Sequence, residues 1–236
     1  MLIVPKLLIQ SDFISQANSQ GVHVCPRNYA IREEICKLFV KAVKYFCKQD
    51  ALAYKWLQYL PGAQIYDRFW AELRDMIFEE LKETKVLFSS GNSVLKRPMD
   101  LHNLSSSHCD QRGKPLLDDL QPAVYLSQSY SWARHAENLR ELGVTRLPTS
   151  SFLDRLAPYL QGKRPRYMDP ALDSDWHTRM ANFLVRALKK NRKGSKIHEQ
   201  IMAMPLIAAG GVLTAAELTS LYFSPMMSKE ILFQKT

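Results

Sequence analysis

The sequence has no apolar run approaching the ~18 residues a membrane-spanning helix needs, so no membrane segment is expected. Its opening, MLIVPKLLIQSD, is apolar but short. Pro5 and Lys6 interrupt it and no small-residue cleavage site follows, which argues against a secretory signal peptide. Cysteine is sparse: Cys25, Cys36, Cys47 and Cys109 form no CxxC pair and no zinc spacing. Cys36 and Cys47 fall three turns apart on one expected helix, so they cannot bridge each other. Reduced thiols in an intracellular setting, cytoplasmic or nuclear, are the simplest expectation. Also absent are GxGxxG, HExxH, GxSxG and the protein-kinase set. The chemistries those motifs serve therefore lack a signature here.

What is present is ordinary for a globular protein. The chain has 236 residues, 46% apolar and 23% charged, enough for one large domain or two small ones. The formal net charge of +9 fits either a basic solvated surface or an anionic partner.

The organising stretch is TKVLFSSGNSVLKRPMDL, residues 84–101. Lys85–Phe88 reads as a strand, Ser89–Ser93 as its turn and Val94–Leu95 as the return. Pro98 has no N–H for a ladder and ends the pairing. An amphipathic helix capped by Asp67 leads in and runs to Glu83, with Phe69, Trp70, Leu73, Ile77 and Leu81 as its buried stripe. A second helix-plus-hairpin follows near the end. There Met204–Ile207 is the strand, Ala208–Gly211 the turn and Val212–Leu213 the return. A repeated unit suggests a modular scaffold more than a single pocket.

Elsewhere, Leu2–Phe13 reads as a strand and Gln16–Pro26 as a polar loop. A long helix is expected from an Asn28 cap to Lys48, with Ile31, Ile35, Leu38, Phe39, Ala42, Val43 and Phe46 on one face. Ala51–Leu60 reads as a short aromatic helix stopped by Pro61-Gly62. The aromatics from Tyr54 to Trp70 are expected to be core. His102–Asp119 reads as mostly loop and Val124–Leu126 as a strand. Ser131 is placed to cap a helix ending before Gly143, and a capping-box variant at Ser151/Asp154 starts one ending near Leu160. Gln161–Asp169 is the linker candidate. Beyond it come a long helix, Asp173–Lys190, with Trp176, Met180, Phe183, Leu184, Ala187 and Leu188 inward, a short one, Ile197–Met202, and a capping box at Thr214–Glu217. The fold class expected is α+β, helix-rich, with repeated helix-plus-hairpin units. Its parts are expected at residues 1–49, 50–161 and 162–236.

The chemistry-bearing candidates are few. His108-Cys109-Asp110 has the residue types of a nucleophile, a base and an orienting acid, but adjacent side chains diverge too far for that geometry. His102, His108 and Cys109 lack a second cluster to complete a zinc site. Asp118-Asp119 have no further carboxylate placed to pair with them, and Glu33-Glu34 and Glu79-Glu80 read as helix-surface acids. An enzyme built on Asp110, Asp118 and Asp119 is the least favoured reading. Lys193-Gly194-Ser195-Lys196 fails as a phosphate loop, because Ser rather than Lys follows Gly194 and a helix stands where a strand belongs. Lys189, Lys190, Arg192, Lys193 and Lys196 partly complement a helix C-terminus, and they are the candidate contacts for an anionic partner such as a nucleic acid.

YKWLQYLPGAQIYDRFWAELRDMIFEELKETKVLFSSGNSVLKRPMDL, GKPLLDDLQPAVYLSQSY, LRELGVTRLPTSSFLDRL, the opening PKLLIQSDFISQAN and the later NRKGSKIHEQIMAMPLI together resemble the large fungal sacsin-like proteins. Those proteins begin with an ATP-binding domain of the heat-shock-chaperone and histidine-kinase type. The resemblance runs to about Leu213 and covers the region downstream of the nucleotide pocket. It implies that Leu7–Asn18 is the last strand of the segment following the ATP domain, and that the rest is helix-and-hairpin scaffold. The pocket's Asn-bearing helix, acidic residue and Gly-rich lid have no counterpart here, so no cofactor is expected. The Arg that the family tends to place near Ser19-Gln20 is also missing, which argues against an ATP site completed in trans. After Gly210-Gly211 the sequence loses the aromatic of the family's hairpin, as a truncation or frame error would produce. The start directly on a strand-like segment likewise suggests an excerpt from a longer protein. The function expected is a non-catalytic scaffold acting through protein partners; the alternative is a basic nucleic-acid-binding module.

Overall fold

The structure, a computed structural model, describes residues 9–17, 21–90, 94–119, 124–160 and 174–204, together with short strands at 206–208, 211–213, 222–223 and 233–234. The chain forms two compact units. Unit 1 comprises Met1–Asn103 and Leu120–Thr145, and unit 2 comprises Leu104–Asp119 and Arg146–Thr236. The architecture is α+β and helix-rich, with small two-stranded pairs as its only regular sheets among the described residues.

Unit 1 begins with α1, Pro26–Phe46. Pro26 sits at its first turn, where a missing N–H costs nothing and the ring already holds the helical φ. Asn28, expected as the cap, lies instead inside the helix and is fully buried. Its amide does other work. Ile14 N donates to Asn28 Oδ1 at 3.0 Å, while Nδ2 donates to the carbonyls of Ile14 at 2.8 Å and His23 at 2.7 Å. The side chain thus ties the incoming segment to the helix. That segment carries an antiparallel bridge, Ser15–Val22. No strand forms over 9–13, and residues 1–8 of the expected strand lie outside the described residues.

The buried face of α1 is also rotated from the expected one. Cys36, Val40 and Val43, continued by Cys47, face the core, whereas Leu38 and Ala42 are exposed. A buried thiol behaves as a small hydrophobe. Counting Cys36 and Cys47 as apolar moves the stripe by roughly a quarter turn, toward α2.

The expected aromatic helix over 51–60 is shorter: turns lead into one 3-10 turn, Trp56–Tyr59, with Trp56 and Leu57 fully buried. Then α2, Arg68–Glu83, packs on α1. Asp67 Oδ1 accepts from the backbone N of Phe69 at 2.9 Å and Trp70 at 3.3 Å, which is the expected cap. Phe69, Trp70, Leu73, Ile77 and Leu81 are all buried, joined by Arg74 and Phe78. Of the aromatics from Tyr54 to Trp70, Tyr66 is the exception, standing in solvent.

The hairpin follows: β1 (Leu87–Phe88) pairs antiparallel with β2 (Leu95–Lys96), Leu87 opposite Lys96 and Phe88 opposite Leu95. Its turn, residues 91–93, lies outside the described residues. Pro98 opens a 3-10 turn and the ladder stops there, as expected. The expected strand 124–126 forms no ladder of its own; it lies extended between the hairpin and β3 (His102–Asn103). Ser90 N donates to Tyr125 O and His102 N to Val124 O, both at 2.7 Å, and Ser127 N donates to Phe88 O at 3.0 Å.

α3, Trp132–Glu141, bends at His135, and Ser131 stands at its cap position without a side-chain cap bond. It ends at Gly143, where φ is +100° and Val144 N closes the end on Leu139 O at 2.9 Å. An added Cβ would meet Met99 at ordinary contact distance, 3.5 Å, so backbone strain is the main cost of a side chain there. Gly143→Ala should destabilise the protein by about 1–2 kcal/mol. The check is the urea midpoint at constant m-value; an unchanged midpoint would mean the helix does not end this way.

β4 (Thr145–Arg146) lies where unit 1 passes to unit 2. In unit 2, residues 104–119 are irregular apart from a 3-10 turn at Ser106–His108. α4 spans Thr149–Leu160. Its first backbone bond runs from Phe152 N to Pro148 O, so the helix starts ahead of Ser151, which does not stand at its N-cap. Asp154 instead accepts from Gln200 Nε2 at 2.6 Å. α5 is Ser174–Lys190 and α6 is Lys196–Met202. Trp176, Met180, Phe183 and Ala187 form the buried face of α5, as their spacing predicts, while Leu184 and Leu188 are half-buried. The second hairpin pairs β5 (Leu206–Ala208) with β6 (Gly211–Leu213), and β7 (Tyr222–Phe223) pairs with β8 (Phe233–Gln234). The linker 161–169, the second hairpin's turn residues 209–210 and the capping box at 214–217 lie outside the described residues.

Candidate functional site

The basic segment is built by the end of α5 and the start of α6. The α5 face that carries Trp176, Met180, Phe183 and Ala187 goes inward, which leaves Arg186, Lys189 and Lys190 exposed. Asn191 then closes the helix, its Nδ2 donating to Ala187 O at 2.7 Å. Ser195 N bonds Arg192 O at 3.1 Å, Gly194 takes φ +79°, and the Ser195 hydroxyl caps α6 through His198 N at 3.3 Å. Polar and glycine positions thus hold the turn, and Arg192, Lys193 and Lys196 project as exposed cations around it. No ion pair among the described residues involves Lys189, Lys190, Arg192, Lys193 or Lys196. Arg186 extends the segment. The signal for it was in the sequence: no acid occurs between Asp175 and Glu199.

His108, Cys109 and Asp110 are separated by what each packs against. His108 is buried between Phe152 of α4 and Phe183 of α5, with ring centroids 4.6 and 5.0 Å away. Nδ1 lies 2.9 Å from Ser105 Oγ, and buried Nε2 has no hydrogen-bond partner among the described residues. Burial lowers the imidazole pKa to about 4, so the ring is neutral at pH 7. Cys109 is buried, and burial raises its thiol. Asp110 Oδ1 accepts from the backbone N of Arg112 and Lys114, both at 2.8 Å, which closes the turn that pairs Cys109 with Pro115.

The remaining candidates are likewise engaged. Asp118 N bonds Tyr159 Oη at 2.9 Å, and Asp119 faces Arg155 at 3.6 Å. His102 belongs to unit 1, where Nδ1 lies 2.8 Å from Thr145 Oγ1. Glu34 pairs with Lys37 at 2.8 Å and Glu79 with Lys82 at 2.6 Å on exposed helix faces. The Cys47 thiol donates to Val86 O at 3.3 Å, and burial pushes its pKa up to about 11. Among the described residues, no group of His, Cys, Asp and Glu could hold a metal ion, and no helix is long and apolar enough to cross a membrane. No family model, curated protein or solved structure matches the chain.

Proposed function

We propose that the chain is a non-catalytic framework of a sacsin-like, chaperone-ATPase-like protein and works through contact with other proteins. It acts inside the cell, in cytoplasm or nucleus, where four unbridged thiols persist. The observation that carries the reading is α1, which is apolar on two faces. One face buries Cys36, Val40 and Val43. On the other, Leu38 is 61% and Tyr45 60% exposed, with Ala42 exposed between them. Their spacing sets the three side by side on the helix. Exposed Lys41 and Lys44 and the Glu34–Lys37 pair border them. An apolar centre with a charged rim is the anatomy of a protein contact. The structural use of His108, Cys109, Asp110 and Asp119 supports the same reading, and the resemblance supplies the class of parent protein.

Two measurements test it. Millimolar Mg-ATP should leave the melting temperature unchanged and show no turnover; a ligand present at 100 times its Kd would add about 2.7 kcal/mol, so a reproducible rise rejects the proposal. The pair Leu38→Ser/Tyr45→Ser should change stability by no more than about 0.5 kcal/mol per site, as for surface positions. A core-sized loss would show that this face is internal packing.

A further inference from the structure

We propose that the exposed cations of the α5–α6 corner bind the phosphate backbone of a nucleic-acid duplex without reading its sequence. Lys189 and Lys190 have a local role, since they oppose the negative end of the α5 dipole. The other cations do not. Arg192 and Lys193 lie in the turn beyond the helix, and Lys196 is the first residue of α6, where the dipole disfavours a positive charge. Arg186 lies one turn before the end of α5, also exposed. Residues 176–198 hold Arg179, Arg186, Lys189, Lys190, Arg192, Lys193 and Lys196 and no acid; of these, only Arg179 has a carboxylate partner among the described residues, Asp175 at 3.0 Å. Six exposed cations held by one ordered corner repel each other. Local stability does not account for Arg186, Arg192, Lys193 and Lys196, and an anionic partner does.

The chemistry of the surroundings selects the partner. A folded protein binds chiefly through apolar or aromatic anchors seated in pockets. No exposed large hydrophobic residue lies between Arg186 and Lys196. Single strands are held by stacking their bases on aromatic rings, and residues 184–204 contain no Phe, Tyr or Trp. What remains is attraction of cations to a regular array of phosphates, which requires neither anchors nor stacking. DNA and RNA duplexes share that array.

The test is fluorescence anisotropy of the full chain with labelled 20-base-pair DNA and RNA duplexes of unrelated sequence. Five or six phosphate contacts predict a log K against log salt slope near −5, and affinity falling on the order of 10³-fold between 50 and 200 mM salt. Lys189→Gln/Lys190→Gln/Arg192→Gln/Lys193→Gln should weaken binding more than tenfold and flatten the slope by about 3 to 4. Its melting temperature should be unchanged or higher. A charge-matched control, Arg27→Gln/Lys48→Gln/Lys55→Gln/Lys85→Gln, all exposed, should bind like the wild type. Equal loss in both variants would reduce the effect to net charge and overturn the proposal. So would no duplex binding at 50 mM salt, or equal binding to polyglutamate or to anionic phosphatidylserine vesicles. A preference between the DNA and RNA arms would name the duplex without affecting the site. The ATP test above is independent of all these outcomes.

Discussion

Between pH 7 and pH 4 the protein should lose roughly 3 kcal/mol of unfolding free energy through His108 alone. The imidazole titrates at about 4 in the folded chain and near its ordinary 6.5 when unfolded. Above pH 6.5 both states leave it neutral, so stability there does not depend on it. As pH falls from 6.5 toward 4, the unfolded chain takes up a proton that the folded chain refuses, and stability falls with it. Below pH 4 both states are charged and the loss stops growing. The structural cause is specific. Protonation would put charge between the rings of Phe152 and Phe183, with no acceptor at Nε2 among the described residues. Urea unfolding at pH 7 and at pH 4 measures the loss, and His108→Leu isolates it. The variant keeps every other titrating group, so its acid loss should be smaller than that of the wild type by about 3 kcal/mol. Equal losses in both proteins would mean that the imidazole is hydrated in the folded state.

His108 also shows how far the sequence could be read. His-Cys-Asp as a triplet was legible as unable to form a catalytic set, since adjacent side chains diverge. That His108 would become a core residue was not legible, because its neighbours Phe152 and Phe183 come from helices some 44 and 75 positions away. Local rules did well where the cause was local. Asp67 capping α2, Gly143 ending α3, Pro98 stopping the ladder and the inward stripe of α5 each depend on residues within one or two turns. The same rules misplaced Asn28 and the Ser151/Asp154 pair. Asn28 binds Ile14 and His23, and Asp154 binds Gln200. A good capping residue therefore became a tertiary clamp in both cases. The basic corner was legible as a cluster. That it has no acidic partner among the described residues required the ion pairs of the folded chain.

The second large effect is expected at Arg74, and its order across variants is the informative part. Its side chain is 10% exposed, and it pairs with Glu141 of α3, whose side chain is 34% exposed. Nε donates to Gly62 O at 3.0 Å, and the guanidinium lies 4.4 Å from the Phe78 ring centroid. One buried cation thus joins α2 to α3 and to the loop after Pro61. Arg74→Ala removes the pair, the carbonyl bond and the packing on Phe78 together, and should cost about 3 kcal/mol. Arg74→Met keeps much of the packing. Glu141 is exposed enough to regain water, as is Gly62, so this change should cost about 1 kcal/mol or less. Glu141→Gln does the opposite: it leaves a buried guanidinium with only the exposed Asp75 carboxylate, 3.4 Å from Nη1, as counter-charge, and should cost about 2 kcal/mol even though the residue changed is the more exposed of the two. Denaturant midpoints for the three variants measure the order, Ala above Gln above Met. If Glu141→Gln proved as mild as an ordinary surface substitution while Arg74→Met was severe, Arg74 would be acting through its hydrocarbon stem, and the pair would contribute little. A loss at Glu141→Gln that persists in 1 M salt, where exposed pairs are screened within about 3 Å, would separate the buried charge from a surface ion pair.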